Sequence, residues 1–201
     1  MSKNNSKVKV LQAALDLFYQ KGFHATSVRD IAQKASVNIS LISYYFNGKQ
    51  GLLEYAVVKY YENYLQIMEK SILKTEKLAP IERLKSLISS IIQYKHEEHK
   101  FSCFIHRELS FDSTLMREIS LTYIAKENHY LKKLFTHIFK DVQISQIERE
   151  FLYMQLKGML AMPYMMNNEF KQTLLNPATS ENFAKRYTNT IFTWLELMSK
   201  K

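Results

Sequence analysis

Between Thr26 and Lys49 the chain reads TSVRDIAQKASVNISLISYYFNGK, two short apolar periodicities separated by a few polar residues. Thr26 or Ser27 is placed to cap a helix, its oxygen taking an orphan amide of the first turn. Val28, Ile31, Ala32 and Ala35 then line one face. Ser36 and Val37 fall at a turn, and Asn38 is a second cap candidate. The helix after it, about Ile39 to Tyr45, directs Ile42 and Phe46 inward. Two short helices meeting at a sharp turn outline a helix-turn-helix, whose second helix enters the DNA major groove.

The flanks extend this outline. Val8, Leu11, Leu15 and Phe18 recur at steps of three and four, predicting an amphipathic helix that Gly22 ends in a left-handed cap. Asn47-Gly48-Lys49 breaks the chain before a long helix. Residues 1–49 therefore read as a three-helix DNA-binding domain.

Helical periods continue to the C-terminus, and four Gly and three Pro leave little material for hairpins. Helices are expected over about 50–75, from Pro80 to about Glu98, over Phe101–Leu109, from Thr114 to about Lys140, from Ser145 to about Asn167, and from about Ser180 to Met198. Pro80 suits a first helical turn. Asp112 or Ser113 can cap the fourth of these helices after a break near residues 110–112. Ser145 with Glu148 has the spacing of a capping box. The fold class is all-α, with residues 50–201 forming a helical bundle for dimerisation and regulation.

The net charge of +9 suits a polyanionic partner, and it is unevenly spread. Residues 1–50 hold seven Lys and Arg against two Asp, a net +5, leaving +4 for the other 151 residues. Cys103 is the single cysteine, so no intramolecular disulfide can form and a reducing compartment is expected. No apolar run approaches the ~20 residues that span a bilayer, and MSKNNSKVKV lacks the apolar core of a signal peptide. These features point to a cytoplasmic, nucleoid-associated chain with no membrane partner.

The succession of one helix, T-S-V-R-D-I-A-x-x-A-x-V-N and Y-Y-F-N-G-K-x-G-L-L resembles the N-terminal domain of the TetR family of transcriptional regulators. The helical remainder is similar to that family's dimerisation and ligand domain. Three positions depart from the usual pattern. Ser36 stands where Gly is common, Ser43 replaces the usual recognition-helix Tyr, and Leu41 replaces a small or polar residue.

The resemblance implies a homodimer on near-palindromic double-stranded DNA. It makes Lys49, Tyr45 and the helix start at Thr26 phosphate contacts, and Arg29 a guanine reader through O6 and N7. Ile39, Ser40, Leu41, Ser43 and Tyr44 become the groove face, although one of Ile39 and Leu41, and one of Tyr44 and Tyr45, could pack inward. The dimer surface is expected on two apolar stripes, Leu152, Leu156, Met159 and Leu160, and Phe183, Tyr187, Ile191, Trp194, Leu195 and Met198. The same stripes could instead be intrachain core.

F-I-H-R-E-L-S-F-D-S-T-L-M-R-E-I (104–119) and Q-L-K-G-M-L-A-M-P-Y (155–164) resemble segments of a forespore DNA-binding branch of the family, linked to chromosome positioning and division-site control. On that likeness Arg107, Glu108, Arg117 and Glu118 are candidates for a protein-partner surface, with a cell-division protein as the partner. A solvated helix face is the alternative. Tyr153, Met162, Tyr164, Met165 and Met166 either line a pocket for a small apolar ligand or fill core.

Other signals carry less. His96 and His99 are spaced i and i+3 rather than i and i+4, with His106 apart from them, so no metal is expected. Cys103 lacks a redox companion. No phosphate loop, nucleophile elbow or dinucleotide fingerprint occurs, so neither cofactor nor enzymatic activity is expected.

Overall fold

The structure, a computed structural model, describes residues 3–108, 114–166 and 182–200. The expected break at 110–112, the caps Asp112 and Ser113, and the helix limits at Asn167 and Ser180 lie outside them.

The described elements are helical: α1 (Lys3–Lys21), α2 (Val28–Ala35), α3 (Ser40–Phe46), α4 (Gly48–Lys74), α5 (Pro80–Glu97), α6 (His99–Glu108), α7 (Thr114–Ile119), α8 (Ala125–Ile138), α9 (Gln146–Met165) and α10 (Phe183–Met198). The single helix expected over 114–140 is interrupted by a π-helical turn, Ser120–Ile124, between α7 and α8. Such a turn shifts the helix phase, and a residue period alone does not reveal it. Pro163 does not end α9, which runs two residues beyond it.

Contacts divide the chain into two compact units, residues 1–63 with 99–119, and residues 64–98 with 120–201. The unit holding the helix-turn-helix therefore extends past residue 49 and takes in α6.

In the first unit α1 buries Val10, Leu11, Ala14, Leu17 and Phe18. Val8, expected on that face, is 51% exposed, because the buried stripe runs one step round the helix. Phe18 stacks on Phe104 of α6 at 5.5 Å, and Phe101 lies 5.6 Å from Phe104. Both ends of α6 are tied to α1. Lys100 reaches Asp16 at 2.6 Å, and the Arg107 guanidinium donates to the Phe18 and Tyr19 carbonyls at 2.8 and 3.3 Å. Lys100, with a lesser contribution from Lys34 of α2, holds the Asp16 carboxyl below its ordinary range against the opposing effect of burial.

The turn between α2 and α3 shows what Ser36 costs. Its backbone is left-handed, φ 53° and ψ 49°, and the Val37 amide bonds back to Ala32 at 3.0 Å. That conformation costs a non-glycine residue about 1–2 kcal/mol, against about 0.5–1 kcal/mol of extra unfolded-state entropy for glycine. Ser36→Gly should therefore stabilise the chain by about 0.5–1 kcal/mol, read as a higher urea midpoint at unchanged m-value.

In the second unit Leu84, Leu87, Ile88, Ile91 and Ile92 of α5 are fully buried, with Leu131 and Phe135 of α8, Leu156 and Leu160 of α9, and Ile191 and Leu195 of α10. Ser145 caps α9 with Glu148 in the expected reciprocal box.

Candidate nucleic-acid interface

Ser27, rather than Thr26, caps α2. Its hydroxyl accepts from the Asp30 amide and its own amide donates to the Asp30 carboxylate, both at 3.1 Å. The Ser27 amide, followed by its hydroxyl and by Lys21, holds the Asp30 carboxyl below its usual range. Because Asp30 is engaged with Ser27 and Lys21, it is not the ion partner of its neighbour Arg29, which is exposed on the surface of α2.

Thr26 is 1% exposed, donates its hydroxyl to the Gly22 carbonyl at 2.8 Å and its amide to Phe23 at 3.2 Å. Its expected phosphate contact is therefore corrected, since both its donors are used in closing the loop before α2. Lys49 is also committed within the fold. Its ammonium donates to the Phe23 and Thr26 carbonyls at 2.9 and 2.8 Å and lies 4.3 Å from the Phe23 ring centroid. An ammonium has three donors, so these bonds leave one for a phosphate. Lys49 thus pins the loop to the start of α4 before it can touch DNA.

The turn into α3 is held by Asn38, whose side-chain oxygen accepts from the Ser40 amide and hydroxyl at 2.9 and 2.8 Å. Ile42 and Phe46 are buried as expected. Ser40, Ser43 and Tyr44 are exposed, Tyr44 at 67%, and Ile39 is open at 42%. Leu41 and Tyr45 are half-buried. The choice left open by sequence falls to Tyr44 and Ile39 as the outward members. Tyr45 packs edge-on between Tyr44 and Phe46, at 5.1 and 6.2 Å.

Of the expected dimer residues, Leu156, Leu160, Ile191 and Leu195 are at most 1% exposed within one chain, which makes them core. Leu152, Met159, Phe183, Tyr187, Trp194 and Met198 are half-buried. The exposed apolar stripe of α9 lies elsewhere, at Ile147, Phe151, Met154, Met162 and Met165, with Gly158 open in the middle. Its steps of four and three keep it on one helix face. The stripe at 152–160 has the same period, so spacing alone does not distinguish the covered face of α9 from the open one.

Among the partner-surface candidates, Arg107 turns to the α1 carbonyls and lies over Phe104 at 5.9 Å, so it is not a free surface charge. Arg117 and Glu118 are exposed on α7. The Glu108 side chain lies outside the described ones. His99 and Cys103 approach at 3.6 Å, and no three potential metal ligands converge among the described residues.

The family model for bacterial regulatory proteins of the tetR family matches residues 10–56, the region of this interface. The chain is 35% identical over 193 residues to the probable HTH-type transcriptional regulator YttP of Bacillus subtilis strain 168, covering 96% of this chain and 93% of that one. It shares its fold with the TetR family transcriptional regulator PfmR of Thermus thermophilus, at a TM-score of 0.72 and 19% identity over 92% and 97% of the two chains. The hemolysin II transcriptional regulator HlyIIR has the same fold, at 0.67 and 20% identity over 94% and 98%. With a helix-turn-helix built on these caps and a relative similar along almost its whole length, the chain belongs to the TetR family of DNA-binding transcriptional regulators.

Proposed function

We propose that this chain is a homodimeric, sequence-specific DNA-binding protein that reads near-palindromic sites, with a role like that of the forespore protein RefZ in chromosome positioning and Z-ring control during sporulation. The observation that carries the DNA reading is the joint exposure of Arg29 on α2 and of Ile39, Ser40, Ser43 and Tyr44 on and beside α3. Arg29 supplies a bidentate guanine donor, Ile39 an apolar contact for a thymine methyl, and Ser43 and Tyr44 hydroxyls for base edges or phosphates. Lys49 adds its remaining N–H to a phosphate. The capped start of α2 presents the Val28 and Arg29 amides to another.

A seven-residue recognition helix reads few bases, so two copies are required. The exposed α9 stripe is the dimer face in this reading, a contiguous apolar surface of the kind that closes against its own copy about a two-fold axis. The likeness of residues 104–119 and 155–164 to RefZ supports the positional role, with a cell-division protein as a further partner and Arg117 and Glu118 as its candidate contacts. The competing reading is a repressor that a small apolar molecule releases from its operator.

Genome-wide occupancy in the native organism separates the two, with an Arg29→Ala/Tyr44→Ala chain as control. Both residues are exposed, so the control keeps its fold. Several near-palindromic sites arranged around the replication origin are the expected result. One or two promoter sites would favour the repressor, and no enrichment over the control would remove specific DNA binding altogether.

A further inference from the structure

The solvent face of α8 and the turn after it carry a second group of lysines and imidazoles, in the second unit. His129, Lys133 and His137 follow one another at intervals of four down the helix, and Lys140 continues the line in the turn after it. All four are exposed. Together with Lys132 and Ala125 they line a groove of about 620 Å³. The described lining contains no carboxylate. Glu127, the one acid of α8, points the other way: it is buried and bound to Lys157 at 2.5 Å. Lys132 is balanced by Glu150 at 2.8 Å, whereas Lys133 and Lys140 have no such partner among the described ion pairs.

The walls are not purely ionic. Ala125 and Thr136 offer methyl groups, and a lysine on such a face has an alkyl stem available for apolar contact while its head stays in water.

We propose that this face of α8 is a docking groove for an acidic, amphipathic segment of a partner protein. Carboxylates of the segment meet Lys133, His137 and Lys140 on the rim, and its apolar side chains enter between the stems. A second copy of this chain is a poor occupant, because a two-fold contact through this face lays the same cations on one another. A DNA duplex is wider than one helix face, so it would rest on the rim and leave the apolar walls wet. The proposal stands independently of the DNA reading of α2 and α3.

The test uses the full chain and a fluorescein-labelled helical peptide of about fifteen residues, four turns, with Leu on one face and Glu on the others. Fluorescence anisotropy should show saturable binding, and amide shifts in the NMR spectrum should cluster at residues 125–140. Lys133→Glu/Lys140→Glu, both on exposed positions, should raise the Kd about tenfold or more while leaving the circular dichroism spectrum and duplex DNA affinity unchanged. A peptide with Gly in place of Leu should bind more weakly. An unchanged Kd in the double variant, shifts confined to α2 and α3, or equal binding of the Gly peptide would overturn the proposal. A loss of duplex affinity in the double variant would do the same and assign the face to DNA.

Discussion

Gly51→Ala should remove sequence-specific DNA binding and destabilise the first unit by about 3 kcal/mol, the upper end of what overpacking costs. A Cβ at this position would fall far inside van der Waals contact with the carbonyl oxygen of Phe46, and 3.1 Å from its carbonyl carbon. Those are backbone atoms, so no side chain can swing aside. The chain reaches this corner through two consecutive left-handed residues, Asn47 at φ 56° and Gly48 at φ 93°, which fold the first turn of α4 back beneath the end of α3. Making room for one methyl group means lifting α3 from α4. On the proposed reading α3 presents Ser43 and Tyr44 to the groove, and a shift of about 1 Å is enough to misplace such contacts. Affinity for a specific site should then drop toward the non-specific level, a loss on the order of 10³-fold. Anisotropy titration of the operator at fixed salt reads the binding, and the thermal transition reads the stability. An alanine variant with the native melting curve would show that the corner yields more easily than its backbone contact allows.

What could be read from the sequence, and what could not, divides by the range of the interaction. Helices α2 and α3 were legible because their signals are local. The Ser27–Asp30 box lies within four residues, Asn38 accepts from the first residue of α3 two positions on, and Ile42 and Phe46 share one face. Lys49 shows the opposite case: its two carbonyl partners lie 23 and 26 residues upstream, and no spacing rule anticipates them. Arg107 is bound to carbonyls 88 and 89 residues away, which moved it from a candidate partner surface to a clamp on α1. Helix α9 is ambiguous in sequence for another reason. It has an apolar stripe on each side, and periodicity says which residues share a face without saying which face is covered. Burial resolves it, through the covered Leu156 and Leu160 and the open Phe151 and Met154.

Stability should rise as the pH is raised from 7.5 to 9.5, by about 2 kcal/mol, because of one buried amine. Pro163 has no amide to offer the carbonyl four residues before it, Met159, and the Tyr187 hydroxyl donates there instead at 2.8 Å. The next carbonyl, Leu160, accepts from Lys95 Nζ at 3.2 Å. That ammonium lies 5.7 Å from the ring centroids of both Tyr64 and Tyr164, and the residue is 5% exposed. Burial lowers its pKa from 10.5 to about 8, with Lys157 adding to the effect and Glu127 opposing it. In the unfolded chain the amine keeps its ordinary value. Below pH 8 both states hold the proton and the folded state bears the cost of the buried charge. Between about 8 and 10.5 the unfolded state holds a proton that the folded state has released, so unfolding becomes harder by about 1.4 kcal/mol per pH unit. Tyr94 and Tyr153 reverse the trend above pH 10. Burial, then Glu98 for Tyr94 and Glu127 and Glu150 for Tyr153, pushes both phenols above their ordinary value of 10, so they ionise first in the unfolded chain and weaken the fold. The urea midpoint should therefore peak near pH 10. Lys95→Met should flatten the rise between 7.5 and 9.5 and keep the alkaline fall, since the tyrosines remain. A midpoint that declines steadily from pH 7.5 in the native chain would show that the amine keeps its proton inside the folded unit.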